Sequence, residues 1–237
     1  MLLTWVFSVT LGLLLSSKYR KADIILVITG ASGFIGLVAF VLIIKYGVTM
    51  EKSQIYFGLL LCSVMFTKVV FFVAHRDVLV IPKEIFLCGT AVACLVLPKL
   101  WAAFSLPMSG WDALGHWANA AVEVVMHSNE QVILPSQFFD EVMPRHPLSL
   151  PILLAAPFVY PYAVEEPTAL YAMVFASLCL IMLGVARPEA GSYKIALISL
   201  VVLATCPLLV NHVLIVGYAE LLQLGAIATV MGLYSLY

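Results

Sequence analysis

Charge is what this sequence has least of. Charged residues fill 11% of its 237 positions, against about a quarter in soluble globular domains. Hydrophobic residues fill 63%, and the mean hydropathy is +1.09. A water-soluble domain is excluded on composition alone. There is no basic excess either: 12 Lys+Arg stand against 13 Asp+Glu for a net charge of −1. Neither a nucleic-acid-binding surface nor an acidic tail is suggested, and lipid becomes the first partner. Paired cysteines are also missing. Cys62, Cys88, Cys94, Cys179 and Cys206 each fall inside an apolar run with no ligand-like spacing. They read as small apolar packing residues rather than disulfide or zinc sites.

What is there is a series of long apolar runs. A helix needs about 20 apolar residues to cross the hydrocarbon core of a bilayer. Runs at 2–17, 24–44, 55–74, 84–104, 168–186, 195–214 and 221–237 meet or approach that length, and each is apolar on all sides. The first run lacks a basic leader and a small-residue cleavage site before Lys18, so it reads as a span rather than a signal peptide. The expected fold is therefore all-α: a polytopic transmembrane bundle of seven spans. Three regions follow, with four N-terminal spans in 1–104, an extracytoplasmic loop in 105–167 and three further spans in 168–237.

Orientation follows from basic residues in short loops. Placing Lys18, Arg20 and Lys21 in the cytoplasm also puts Arg76, Lys83, Arg187 and Lys194 there by alternation. Lys45, Lys52, Lys99 and Arg145 fall on the outer side, and Lys68 lies near the inner end of the third span. The segment between spans four and five is then extracytoplasmic. Its second half carries Pro147, Pro151, Pro157, Pro161 and Pro167. Repeated proline cannot sustain one straight spanning helix, so short juxtamembrane helices at the outer interface are expected instead.

One motif invites a different reading. Thr29-Gly-Ala-Ser-Gly-Phe-Ile-Gly36 after Ile-Ile-Leu-Val-Ile has the glycine spacing of a dinucleotide-binding turn. That chemistry needs a helix with one wet face and an acidic ribose partner about 20 residues on. Residues 37–44 are apolar all round and Glu51 comes too early, so the glycines read as a small-residue face for close helix packing in lipid.

The outer loop holds most of the chemistry. Residues 109–127 read as an amphipathic helix on the membrane surface. Leu114, Trp117, Ala118, Ala121, Val122 and Val125 line one side; Asp112, His116, Asn119, Glu123 and His127 line the other. Asp112 stands three residues after Ser109, the spacing of a capping box. It either satisfies first-turn amides or, kept ionised by the helix N-terminus, accepts a proton or hydrogen bond. His116 is one turn on and could share a ligand or metal with it. His146 and the Asp140-Glu141 pair beside Arg145 form a second polar group or a solvated loop. Glu220 opens the last span at the same membrane face, joined there by Asn211 and His212.

Gly-Trp-Asp-Ala-x-x-x-Trp at 110–117, Arg-His-Pro-Leu-Ser-Leu-Pro at 145–151 and Gly-Tyr-Ala-Glu-Leu at 217–221 together resemble the motifs of polytopic GT-C-type glycosyltransferases. They are most similar to the bacterial proteins described as dolichyl-phosphate-mannose-protein mannosyltransferase-like or RgtA/B/C/D-like. Order and spacing agree over 105–224, about half the chain. The resemblance implies a multi-pass enzyme of the bacterial inner membrane. It would transfer a sugar from a polyprenyl-phosphate carrier to a lipid or glycan acceptor hydroxyl, inverting the anomeric carbon. Carried over, Asp112 is the general base and Glu220 the second acidic residue, orienting the acceptor or a divalent metal such as Mg or Mn. His116, Trp117, Arg145, His146, His212 and Tyr218 fall at substrate-binding positions. Ala120-Ala121 stands where relatives commonly carry a lysine or arginine, so no phosphate contact is expected there. Members of the family also carry a further C-terminal half; on that comparison the chain is expected to be an N-terminal portion or to need a partner. The competing expectation is a non-catalytic membrane scaffold or transporter subunit. Transporters place polar groups at mid-membrane in broken helices, whereas these runs are nearly free of charge.

Overall fold

The computed structural model describes residues 2–16, 19, 21–45, 55–56, 58–60, 62–67, 82–105, 121, 169–190, 193–206 and 220–237. Among these residues all regular structure is helical: α1 (Leu2–Ser16), α2 (Ala22–Lys45), α3 (Lys83–Ser105), α4 (Ala169–Ala190), α5 (Tyr193–Thr205) and α6 (Glu220–Tyr234). Further helical turns occupy 58–60 and 62–67. A helix thus stands at each of the seven apolar runs. By length and composition, one stretch among the described residues, Ala22–Leu42, is long and apolar enough to cross a membrane. Thr4–Ser16, Leu170–Ala186 and Leu221–Tyr234 are shorter apolar helices.

The glycine motif at 29–36 lies wholly inside α2, with no strand and no turn. Its glycines face other helices. A Cβ on Gly33 would stand 2.7 Å from Ser177 Oγ and 2.8 Å from Trp5 Nε1, and one on Gly30 would stand 2.6 Å from the Ser177 carbonyl oxygen. Gly36 faces Ser8 of α1. The dinucleotide reading fails here for a physical reason: the backbone that would cradle a pyrophosphate is already hydrogen-bonded within a helix and covered by α1 and α4.

α1 answers this face with its own small residues. Thr4, Ser8, Gly12 and Ser16 recur every fourth residue, and all four are buried. Small side chains at that spacing let two backbones approach closely, a device of helix pairs in lipid. The hydroxyls satisfy themselves locally: Ser8 Oγ donates to the Thr4 carbonyl at 2.8 Å and Ser16 Oγ to the Gly12 carbonyl at 2.6 Å.

The same glycines fix how the helices run. Gly225 of α6 faces Val174 of α4, and Gly232 faces Ile181, a step of seven residues forward in both. Against α2, Gly225 faces Phe34 and Gly232 faces Val27, seven residues back. So α6 is parallel to α4 and antiparallel to α2. Gly30 against Ser177 and Gly184 against Val27 make α2 antiparallel to α4 as well. Gly12 against Ser32 and Gly36 against Ser8 give the same sense for α1 and α2. α1, α4 and α6 therefore start at one end of the bundle, where α2 finishes.

α4 is the central helix and packs on every other one. Every residue from Leu170 to Ile181 is buried, which is why its sequence shows no polar stripe. The outward faces are apolar too: Phe86 is 79% exposed, Trp101 76%, Ile198 64% and Val230 67%. Of the five free cysteines, Cys88 and Cys179 are buried as packing residues, whereas Cys62, Cys94 and Cys206 are exposed on outward faces. Lys99 differs from expectation as well. Counted among the outer basic residues although the run 84–104 contains it, it sits inside α3, directly after Pro98.

Candidate functional site at one end of the bundle

Residues 106–168 join two described residues at helix ends. One is Ala169, the first residue of α4, and the other is Ser105, the last of α3. The Lys99 ammonium lies 5.1 Å from the centroid of the Phe175 ring. Lys99 is six residues before the end of α3 and Phe175 six after the start of α4, each about 9 Å along its axis. The start of α4 marks one end of the bundle, the end at which α1 and α6 also start.

Glu220 joins this end. Continuing the parallel register of α6 and α4 back from Gly225 and Val174 sets Glu220 beside Ala169, and the next pair, Leu221 and Leu170, are both buried. An acidic residue in the first turn of a helix sits where the exposed amides favour negative charge. Ala121 is the one described residue of the loop. It is helical, fully buried and part of the same core cluster as Leu170 and Leu221. This agrees with the place of Ala121 on the apolar side of the 109–127 pattern.

The other sequence-derived site residues, Asp112, His116, Trp117, Arg145, His146, His212 and Tyr218, lie outside the described residues, as does Lys68. What is brought together is the start of α6, which carries Glu220, and the start of α4, which follows the segment carrying Asp112, Arg145 and His146 in sequence. Among the described residues, no group of three His, Cys, Asp or Glu is placed to hold a metal ion. At the opposite end Lys21, just before α2, and Lys194, in the first turn of α5, are exposed.

Sequence reasoning passed over one charged residue here. Lys99 Nζ donates to the Leu95 carbonyl at 3.3 Å and faces α4. A lysine directly after a proline, within an otherwise apolar run, was the available signal.

No family model, curated protein or solved structure matches the chain.

Proposed function

We propose that this chain is a multi-pass membrane glycosyltransferase of the GT-C type, working at the outer face of a membrane on a polyprenyl-phosphate sugar. The observation that carries the reading is the order of three motifs, 110–117, 145–151 and 217–221. The level start of α6 and α4 adds to it, because Glu220 then shares an end of the bundle with the loop that holds the other two.

The multi-pass reading is supported by an inside-out distribution of polarity. Thr4, Ser8, Ser16, Thr29, Ser177 and Thr229 are buried, while large apolar side chains cover the outward faces. In lipid that is the favourable arrangement, since helices there associate through close packing of small residues and the exterior meets hydrocarbon. Helix direction supports the topology. Antiparallel α2 and α4 call for an even number of crossings between them, which the runs 55–74 and 84–104 supply. A third crossing through the proline-rich 145–167 would reverse α4. Parallel α4 and α6 call for an odd number, met by the run 195–214.

In the reaction, Asp112 takes the proton from an acceptor hydroxyl as its oxygen attacks the anomeric carbon. The bond from that carbon to the phosphate oxygen breaks, and the electron pair leaves with the lipid phosphate. A fixed carboxylate within hydrogen-bond reach contributes about 10²–10⁴-fold to such a step. Glu220 orients the acceptor, and Arg145 with His146 offers donors to the departing phosphate. The test is transfer in membranes supplied with polyprenyl-phosphate sugars. Asp112→Asn is expected to lower it by about 100-fold or more; wild-type rates in that variant would reject the assigned base.

A further inference from the structure

We infer that Lys99 binds the phosphate of a membrane lipid at the seam between α3 and α4. The inference rests on the membrane reading and goes beyond it, since none of the motifs includes this residue.

A lysine within a spanning segment is costly and is found facing the bundle interior, a water-filled cavity or a counter-charge. Near a helix end its stem would ordinarily run out to the interface. Lys99 does the reverse. Its ammonium is drawn back along α3 onto the Leu95 carbonyl and across to Phe175 of α4. The carbonyl engages one of three N–H donors. The ring attracts the charge but neutralises none of it.

The charge remains to be balanced. Among the described residues no carboxylate pairs with Lys99; Asp23 lies in the first turn of α2, beside Gly184 towards the far end of α4, and Glu84 lies in the first turn of α3, fifteen residues before Lys99. Lys99 is only half-buried, and Leu97 and Trp101, two residues to either side, are 59% and 76% exposed. The seam is therefore open towards lipid. A lipid phosphate reaching it from the outer leaflet would bring both an anion and acceptor oxygens for the two remaining donors. Lys99 is about 9 Å along α3 from Ser105, where the Asp112 loop leaves, near enough for a long-chain phosphate held there to present its substituent towards that loop.

The experiment uses the full chain in nanodiscs of zwitterionic lipid, titrated with a long-chain prenyl monophosphate, the matching neutral prenol, and inorganic phosphate as competitor. Wild type is expected to prefer the monophosphate over the prenol by about tenfold or more. Lys99→Met should lose that preference, Lys99→Arg should keep it, and inorganic phosphate should not displace the lipid. Thermal unfolding of each variant reports folding, with Lys99→Gln as the second neutral variant. Undiminished preference in Lys99→Met or Lys99→Gln, or equal binding of the two lipids by wild type, would overturn the assignment. Displacement by inorganic phosphate would overturn the lipid source. Asp112→Asn should bind like wild type, so loss of transfer and loss of lipid binding are read separately.

Discussion

Trp5 donates its indole N–H to the hydroxyl of Ser177 at 2.8 Å, joining α1 to α4 across 172 residues of sequence. Gly33 of α2 lies against both groups. Three helices meet at this node only because the middle one presents no side chain there. In a lipid-facing bundle such a bond is worth about 0.6 kcal/mol, and in the wider range of hydrogen bonds about 0.5–1.5 kcal/mol. Its effect is on which surfaces of α1 and α4 face each other more than on total stability.

A double-mutant cycle measures it. Trp5→Phe and Ser177→Ala should each destabilise the chain, and the double variant should lose less than the sum of the two, by about 0.5–1.5 kcal/mol. Unfolding equilibria in mixed micelles are the readout. Strict additivity would mean that the two side chains act independently.

The glycines should sort by what surrounds them. A methyl on Gly30 meets the Ser177 main-chain oxygen at 2.6 Å and one on Gly33 meets three groups within 2.8 Å, whereas Gly89 has nothing within 4 Å. Gly30→Ala is expected to cost about 1–3 kcal/mol through overpacking, with Gly33→Ala close behind because its neighbours are side chains that can shift. Gly89→Ala should be neutral or stabilising by up to about 1 kcal/mol, the helix-propensity difference. Thermal unfolding ranks them.

Thr29 gives the opposite sign. Its Oγ1 is buried with no hydrogen-bond partner among the described residues. Ser8 and Ser16, two buried hydroxyls of the same seam, return to carbonyls of their own helix. Thr29→Val keeps the shape and removes the unsatisfied group, so a gain of about 1 kcal/mol is expected. A clear loss in the same unfolding measurement would show that the hydroxyl is engaged.

Helix direction predicts sidedness. In a cysteine-free background, Ser109→Cys and Ser192→Cys should be labelled from opposite faces of the membrane, because one follows α3 and the other lies between α4 and α5. Labelling of both from the outer face would require an additional crossing between residues 109 and 192.

Most of the helical content was legible in the sequence, because an apolar run bounded by charge and proline leaves the backbone few alternatives in lipid. The glycines at 30, 33 and 36 were legible as a packing face, but their partners were not. Nothing in residues 1–16 taken alone shows that Thr4, Ser8, Gly12 and Ser16 answer them, since a four-residue small-residue spacing acquires meaning only against a facing helix. Lys99 was counted with the outer basic residues although the run 84–104 contains it. Its contact with Phe175, 76 residues away in sequence, could not be read from the run itself. For the site, spacing brought Glu220 to one face by alternation alone, and the register of α6 on α4 is the tertiary fact that aligns it with Ala169.

Glu220 and Leu221 are neighbours whose substitution should fail in different ways. Leu221 is 2% exposed within the core cluster, so Leu221→Ala removes packing and is expected to cost about 2–5 kcal/mol. The yield of folded protein would drop while turnover per folded molecule stayed near wild type. Glu220 opens α6; Glu220→Gln keeps the shape and the helix start but removes the charge. Its effect on stability should stay within about 1 kcal/mol, the scale of a charge at a helix N-terminus. Transfer from the polyprenyl-phosphate sugar should fall by about tenfold or more, as expected for a carboxylate that orients a reacting group. Measuring turnover against the amount of folded protein separates the two. If Glu220→Gln lowered only the folded yield, its carboxylate would belong to the cap of α6 rather than to the site.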